Sequence, residues 1–228
     1  MSKLSIMAAI RQRLRVVETD QTRQQAVASR MALHTINTRP AIGMLDGTAR
    51  LEQFVHSAKR KGATVSQVND IAEAAATLLE VLPTGSGICL TAAAMATGIQ
   101  LPGDLVEHWN PKTSVDNSLS TCFCGIAESG SLVVRSDAGN SLTQNFLSDR
   151  HFVLLPAQDI LASMESVWAK VREQSGMQGG MQRGMQRGMP RDLTLVSGPS
   201  STGDIEMRME TGAHGPRELH ILIVGGDV

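Results

Sequence analysis

Large apolar side chains first recur at helical spacing, Ile6, Ile10, Leu14 and Val17, with Arg11, Arg13 and Arg15 set on the other face. That period predicts an amphipathic helix over residues 6–17, and a second, more polar helix around residues 19–31. Asn37-Thr38-Arg39-Pro40 then ends helical structure, because the residue before a proline is pushed out of the helical region. Residues 1–45 therefore read as a helical arm and residues 46–228 as one domain. Within that domain Leu51, Phe54, Val55 and Ala58 form one helix face that closes at Gly62. Thr64-Val65 is a short strand. Residues 71–82 are rich in Ala, Leu and Glu and are expected to be helical, capped by Asn69 or Asp70. Further strands are expected at 87–90, 130–136 and 151–156. Residues 157–173 read as one helix with Ile160, Leu161, Met164, Val167, Trp168 and Val171 facing inward. Apolar runs at 193–196 and 219–224 complete the pattern.

Strands that are apolar on both faces and alternate with helices indicate an α/β fold with a largely parallel sheet flanked by helices. The unit 193–224 has room for one right-handed strand–helix–strand crossover. Residues 176–191 break the pattern: four tandem tetrads, GMQG-GMQR-GMQR-GMPR. Glycine every fourth residue opposes a helix, and nothing there alternates like a strand. The tetrads are expected to be a surface loop, since lengthening a loop from about 4 to about 18 residues costs only about 1.3 kcal/mol of closure entropy.

Composition narrows the class. The chain has 228 residues and a formal net charge of −1, with no dense Lys/Arg run to mark a nucleic-acid partner. Its longest uncharged stretch is broken by Pro83, Gly85, Gly87 and Gly98, which argues against a membrane span. Three cysteines, Cys89, Cys122 and Cys124, lack framework or cluster spacing and read as small core residues of a reduced, cytoplasmic protein.

Candidate chemistry gathers in two places. The first is the connector from Ser197 to Pro216. Ser201 and Asp204 fit a capping box for a short helix over residues 202–209, whose N–H groups could meet an anion. Asp204 and Glu206 in that first turn would oppose one, so the acids either point away or serve a hydroxyl, an amine or a metal. Two glycines and a proline shape the backbone around His214, a possible acid, base or ligand, and Arg217 could clamp a carboxylate or phosphate. The second place is Gly125–Ser136, where Glu128 precedes Ser129-Gly130 on an expected helix-to-strand turn. The connector is expected to form one wall of a cleft with Glu128 facing it, for a small polar ligand rather than a resident metal.

These blocks, GIAESGSLVV, HFVLLP and LVSGPSSTGDIEM with TGAHGPRELHILIV, resemble the LUD-domain family, named for lactate utilization, over roughly residues 51–224. Members without an appended ferredoxin module, the C-type proteins, are most similar. The resemblance implies a fold like that of sugar-phosphate isomerases and CoA transferases. It also implies a cytoplasmic role in oxidising L-lactate to pyruvate beside iron–sulfur A- and B-type subunits, in an accessory subunit without a cofactor of its own. The alternative is a stand-alone enzyme or binder for a small phosphorylated or acyl ligand, such as a CoA ester, folate or sugar phosphate. A homo-oligomer fits either reading. The positions matching family blocks are Glu128, Ser129, Gly130, Gly198, Pro199, Ser200, Asp204, Glu206, His214, Gly215 and Pro216. Catalysis is assigned to Glu128 and His214, and ligand binding to Ser129, Gly130, Gly198, Pro199, Ser200, Asp204, Glu206, Gly215 and Arg217. Ser201 stands where family members often carry a basic residue, which weakens an anion site there.

Overall fold

The computed structural model describes residues 3–15, 20–33, 40–110, 115–137, 139, 141–174, 190, 192–203 and 209–225. The arm holds helices α1 (Lys3–Leu14) and α2 (Gln21–Leu33). A 3₁₀ turn at Ala41–Met44 leads into α3 (Gly47–Arg60), then β1 (Thr64–Val68), α4 (Ile71–Val81), β2 (Ile88–Leu90), α5 (Ala92–Met95) and β3 (Val106–Glu107). There follow β4 (Val115–Thr121), β5 (Cys124–Ile126), β6 (Ser131–Arg135), α6 (Leu142–Leu147), β7 (Ser148–Pro156) and β8 (Ile160–Leu161). The chain continues through α7 (Met164–Gln174), β9 (Leu193–Val196), β10 (Ser201–Gly203), β11 (Met209–Thr211) and β12 (Glu218–Val224).

Among the described residues the main sheet has six strands in the order β1-β12-β7-β4-β2-β3, and every neighbouring pair is parallel. Strands buried on both faces need apolar side chains on both, and β7 and β12 supply them. Val153, Leu155, Ile221 and Ile223 pack with Leu51, Phe54 and Ala58 of α3. Phe152, Leu154 and Leu222 pack on the opposite face with Ala74 and Leu78 of α4 and Leu119 of β4. The expected α/β architecture with a largely parallel sheet is therefore the one observed.

Three local expectations fail. Residues 157–173 are not one helix: Ala157–Asp159 make a 3₁₀ turn, and β8 pairs with β5 through Gly125 and Ile160 before α7 begins at Met164. Sheet pairing overrides the helical spacing there, and Trp168 is 41% exposed rather than inward. The runs at 130–136 and 193–196 do not join the main sheet. They form β6 and β9 of a second, mostly antiparallel sheet of order β8-β5-β6-β9, covered by Val167 and Val171 of α7. No crossover therefore links β9 to β12 within one sheet. Finally, residues 201–203 and 209–211 are strands of a hairpin, with Ser201 opposite Thr211 and Gly203 opposite Met209. Ser201 is thus no helix cap, because its segment is extended by pairing across the hairpin. The tetrads, apart from Pro190, fall outside the described residues.

Candidate functional site

The Glu128 turn joins two antiparallel strands, β5 and β6, rather than a helix and a strand. Its tight return is closed by Gly130 N–H donating to Ile126 O at 2.7 Å, with Gly130 at φ +65°. A side chain at Gly130 would overlap the Ala58 backbone nitrogen, so only glycine lets this turn lie on the end of α3. Glu128 is half-buried. Its Oε1 accepts the Met164 N–H at 3.0 Å. That N–H belongs to the first turn of α7 and has no partner inside the helix, so the carboxylate serves as its cap. The other oxygen, Oε2, lies against Gly43 of the 3₁₀ turn, where a Cβ would come within 2.8 Å.

The connector uses the same device. Gly198, at φ +94°, sits on the Lys61 carbonyl at the other side of the α3 terminus, and Pro199 packs on Gly62. Because β6 and β9 are paired (Leu132 opposite Val196), the two glycine–serine turns arrive side by side. Ser131 Oγ lies 2.6 Å from Ser197 Oγ, accepts from Ser129 Oγ at 2.9 Å and accepts from Lys61 Nζ at 3.5 Å. A hydroxyl has two lone pairs and one proton. With both lone pairs of Ser131 taken by Ser129 and Lys61, its proton goes to Ser197. Exposed Ser197 then keeps its own proton, and exposed Lys61 its remaining N–H groups, for a further acceptor.

The far end of the connector forms another surface. Ser200 N–H donates to Pro216 O at 2.8 Å, and Gly212 N–H donates to Ser200 O at 3.0 Å, which folds residues 212–215 back over the sheet. There Gly212, His214 and Gly215 wall a cleft of about 590 Å³ whose facing wall is Val115, Asp116 and Phe146 through Asp149. Val115 and Ser148 are the first residues of β4 and β7, so the cleft lies at the amino ends of the parallel strands. The usual ligand position in such sheets is the carboxyl ends. Arg217 is spoken for: its Nε lies 3.1 Å from Asp149 Oδ1 and its N–H donates to Asp149 O.

The predicted residues thus separate into two groups. Ser129, Gly130, Gly198 and Pro199 meet at the end of α3. Ser200, His214, Gly215 and Arg217 belong to the cleft end of the connector. Glu128 belongs to the turn at the end of α3, but its carboxylate meets α7 and Gly43 rather than the facing connector. Asp204 and Glu206 fall outside the described residues. Among the described residues no three His, Cys, Asp or Glu side chains are grouped to hold a metal ion, and no helix is long and apolar enough to cross a membrane. Ser131 and Ser197 lie within the quoted blocks without being singled out, and Lys61, Asp116 and Asp149 carry no motif of their own. Strand pairing assembles them, and one sequence does not print strand pairing.

Behind the cleft the core is polar. Ser148 Oγ donates to Asn145 O and accepts from Ser118 Oγ at 2.8 Å. His151 is fully buried, with Nε2 2.7 Å from Ser120 Oγ, and burial pulls its imidazole down to about 3. Burial likewise pushes the Cys124 thiol up to about 12.

Residues 112–224 match the LUD domain. The chain is 26% identical over 186 residues to a lactate utilization protein C of Deinococcus radiodurans, covering 77% of this chain and 79% of that one. It is 29% identical over 99 residues to a lactate utilization protein C of a Geobacillus species, covering 43% and 38%. An uncharacterized protein of Neisseria meningitidis is 30% identical over 122 residues, covering 52% and 47%. The match thus spans about half or less of two of these relatives. A crystal structure of a DUF162 family protein from Deinococcus radiodurans shares the fold, with a TM-score of 0.57 at 21% identity over 79% of this chain and all of that one.

Proposed function

Because the chain belongs to the LUD-domain family, we propose that it serves lactate utilization, as a subunit working beside iron–sulfur partners that oxidise L-lactate to pyruvate. The observation that carries this reading is the LUD match over residues 112–224 in a chain that aligns with proteins named lactate utilization protein C. Local chemistry supports a binding role. A carboxylate wants ammonium and hydroxyl donors, and the exposed Lys61 and Ser197 at the end of α3 offer both. The cleft at the amino ends suits a carboxylate less, because Asp116 and Asp149 line it.

The test is genetic and biochemical together. A strain lacking the chain should fail to grow on L-lactate and recover with the wild-type gene. The tagged chain should bring down iron–sulfur subunits, and alone it should not oxidise lactate with an artificial acceptor. Unimpaired growth of the deletion strain, or turnover by the chain alone, would overturn the reading. The same donors also take phosphate oxygens, which supports the second reading, a stand-alone binder of phosphorylated or acyl ligands. Stabilisation of about 2.7 kcal/mol by a CoA ester, folate or sugar phosphate at a hundred times its Kd, without a lactate phenotype, would select it.

A further inference from the structure

Helix α1 carries an apolar stripe that its own chain leaves open. Ile6, Ile10 and Leu14 are 44%, 45% and 63% exposed. At about 100° per residue these three align, and Arg11 and Arg13, expected on the other face, instead border them on either side. Ile6, Ala9, Ile10, Arg13 and Leu14 together line an open apolar recess. A helix of 12 residues is marginal alone in water, so covering this stripe is part of what stabilises it.

Charge indicates what covers it. Residues 1–45 hold seven basic side chains and two acidic ones, whereas residues 46–228 hold fourteen basic and twenty acidic. Two arms would repel each other, and an arm would be attracted to a body. The body offers a recess that joins acid to exposed apolar area, the cleft at the amino ends of β4 and β7. Its wall contains Val115, Phe146 and Leu147, the last 47% exposed, beside exposed Asp116. At about 590 Å³ the cleft takes side chains but not a helix body, which is about 10 Å across.

We propose that α1 of one chain docks across this cleft of a second copy, its isoleucine–leucine stripe on Phe146 and Leu147 and its arginines facing Asp116. The stripe is exposed and the cleft open within one chain, which leaves both available to a second copy. A reciprocal exchange closes a two-fold dimer, and a one-way exchange builds a chain of copies. The inference is independent of the lactate reading.

Sedimentation velocity of the full chain tests it. The wild type should associate at tens of micromolar and dissociate as salt rises. Arg11→Glu with Arg13→Glu, or Asp116→Arg, should raise the dissociation constant about tenfold or more, equal to about 1.4 kcal/mol. Asp116→Asn serves if the arginine variant misfolds by circular dichroism. Combining both reversals in one chain should restore association. A monomeric wild type, association that neither reversal weakens, or a failed restoration in folded protein would each overturn the proposal. So would binding to anionic vesicles without self-association.

Discussion

Burial at His151 sets a pH limit on stability. In the unfolded chain its imidazole titrates near 6.5, whereas in the fold burial holds it down to about 3. The folded state therefore stays neutral where the unfolded chain takes up a proton. The stability this provides is complete above about pH 6.5 and is lost as the pH falls toward 3, by up to about 1.4 kcal/mol per pH unit. Urea unfolding from pH 7 to 4 should show this slope. His151→Leu should be less stable at pH 7, because it leaves the buried Ser120 hydroxyl without its partner, yet flatter against pH. Equal slopes in both proteins would mean that His151 is charged in the fold. Glycine matters at the same scale. Gly130 and Gly198 combine positive φ with backbone contacts that leave no room for a Cβ. Alanine at either should cost about 2–5 kcal/mol in denaturant unfolding, adding left-handed strain to overpacking. A loss below 1 kcal/mol would show that the turns shift freely off α3.

Among the elements, the start of α7 decides how Glu128 is understood. As a cap, its carboxylate meets the Met164 N–H and the positive end of the helix dipole. Glu128→Ala should then cost about 0.5–2 kcal/mol, and Glu128→Gln less, since the amide oxygen still accepts. Lactate-dependent growth should follow stability in both. Lost growth with an intact fold in the glutamine variant would assign the carboxylate a chemical role as well. Elements with strong local signals were legible in the sequence. The predicted cap at Asp70 accepts the Glu73 N–H at 2.8 Å, and the apolar runs of β7 and β12 lie at the centre of the sheet. β4 carries a weak signal because three of its buried positions, Asn117, Ser118 and Ser120, are polar and bond to Gly87, Ser148 and His151 on neighbouring segments. The helical spacing of residues 157–173 hides β8, because its pairing with β5 is long-range. The site was legible only in part: both glycine–serine turns stood out, but Lys61, which joins them, is one cation among several at a helix end.

Across the molecule, Phe54 ties the two sheets together. It is fully buried, and a Cβ at Gly125 of β5 would lie 2.8 Å from its ring and 3.0 Å from Leu155 of β7. Phe54→Ala should cost about 3–5 kcal/mol. Near- and far-ultraviolet circular dichroism should still report one transition, because both sheets lose the same support. Two separated transitions would mean that the sheets melt independently. The position of β12 has a consequence for synthesis. This late strand lies between β7 and the early strand β1, pairing Thr64 with His220. On the ribosome β2, β4 and β7 can zip together as they emerge. β1 has to wait, its ladder of N–H and C=O groups unmet, until residues 218–224 leave the exit tunnel. A nascent chain stalled before Glu218 is accordingly the form of this protein most exposed to chaperones and to aggregation.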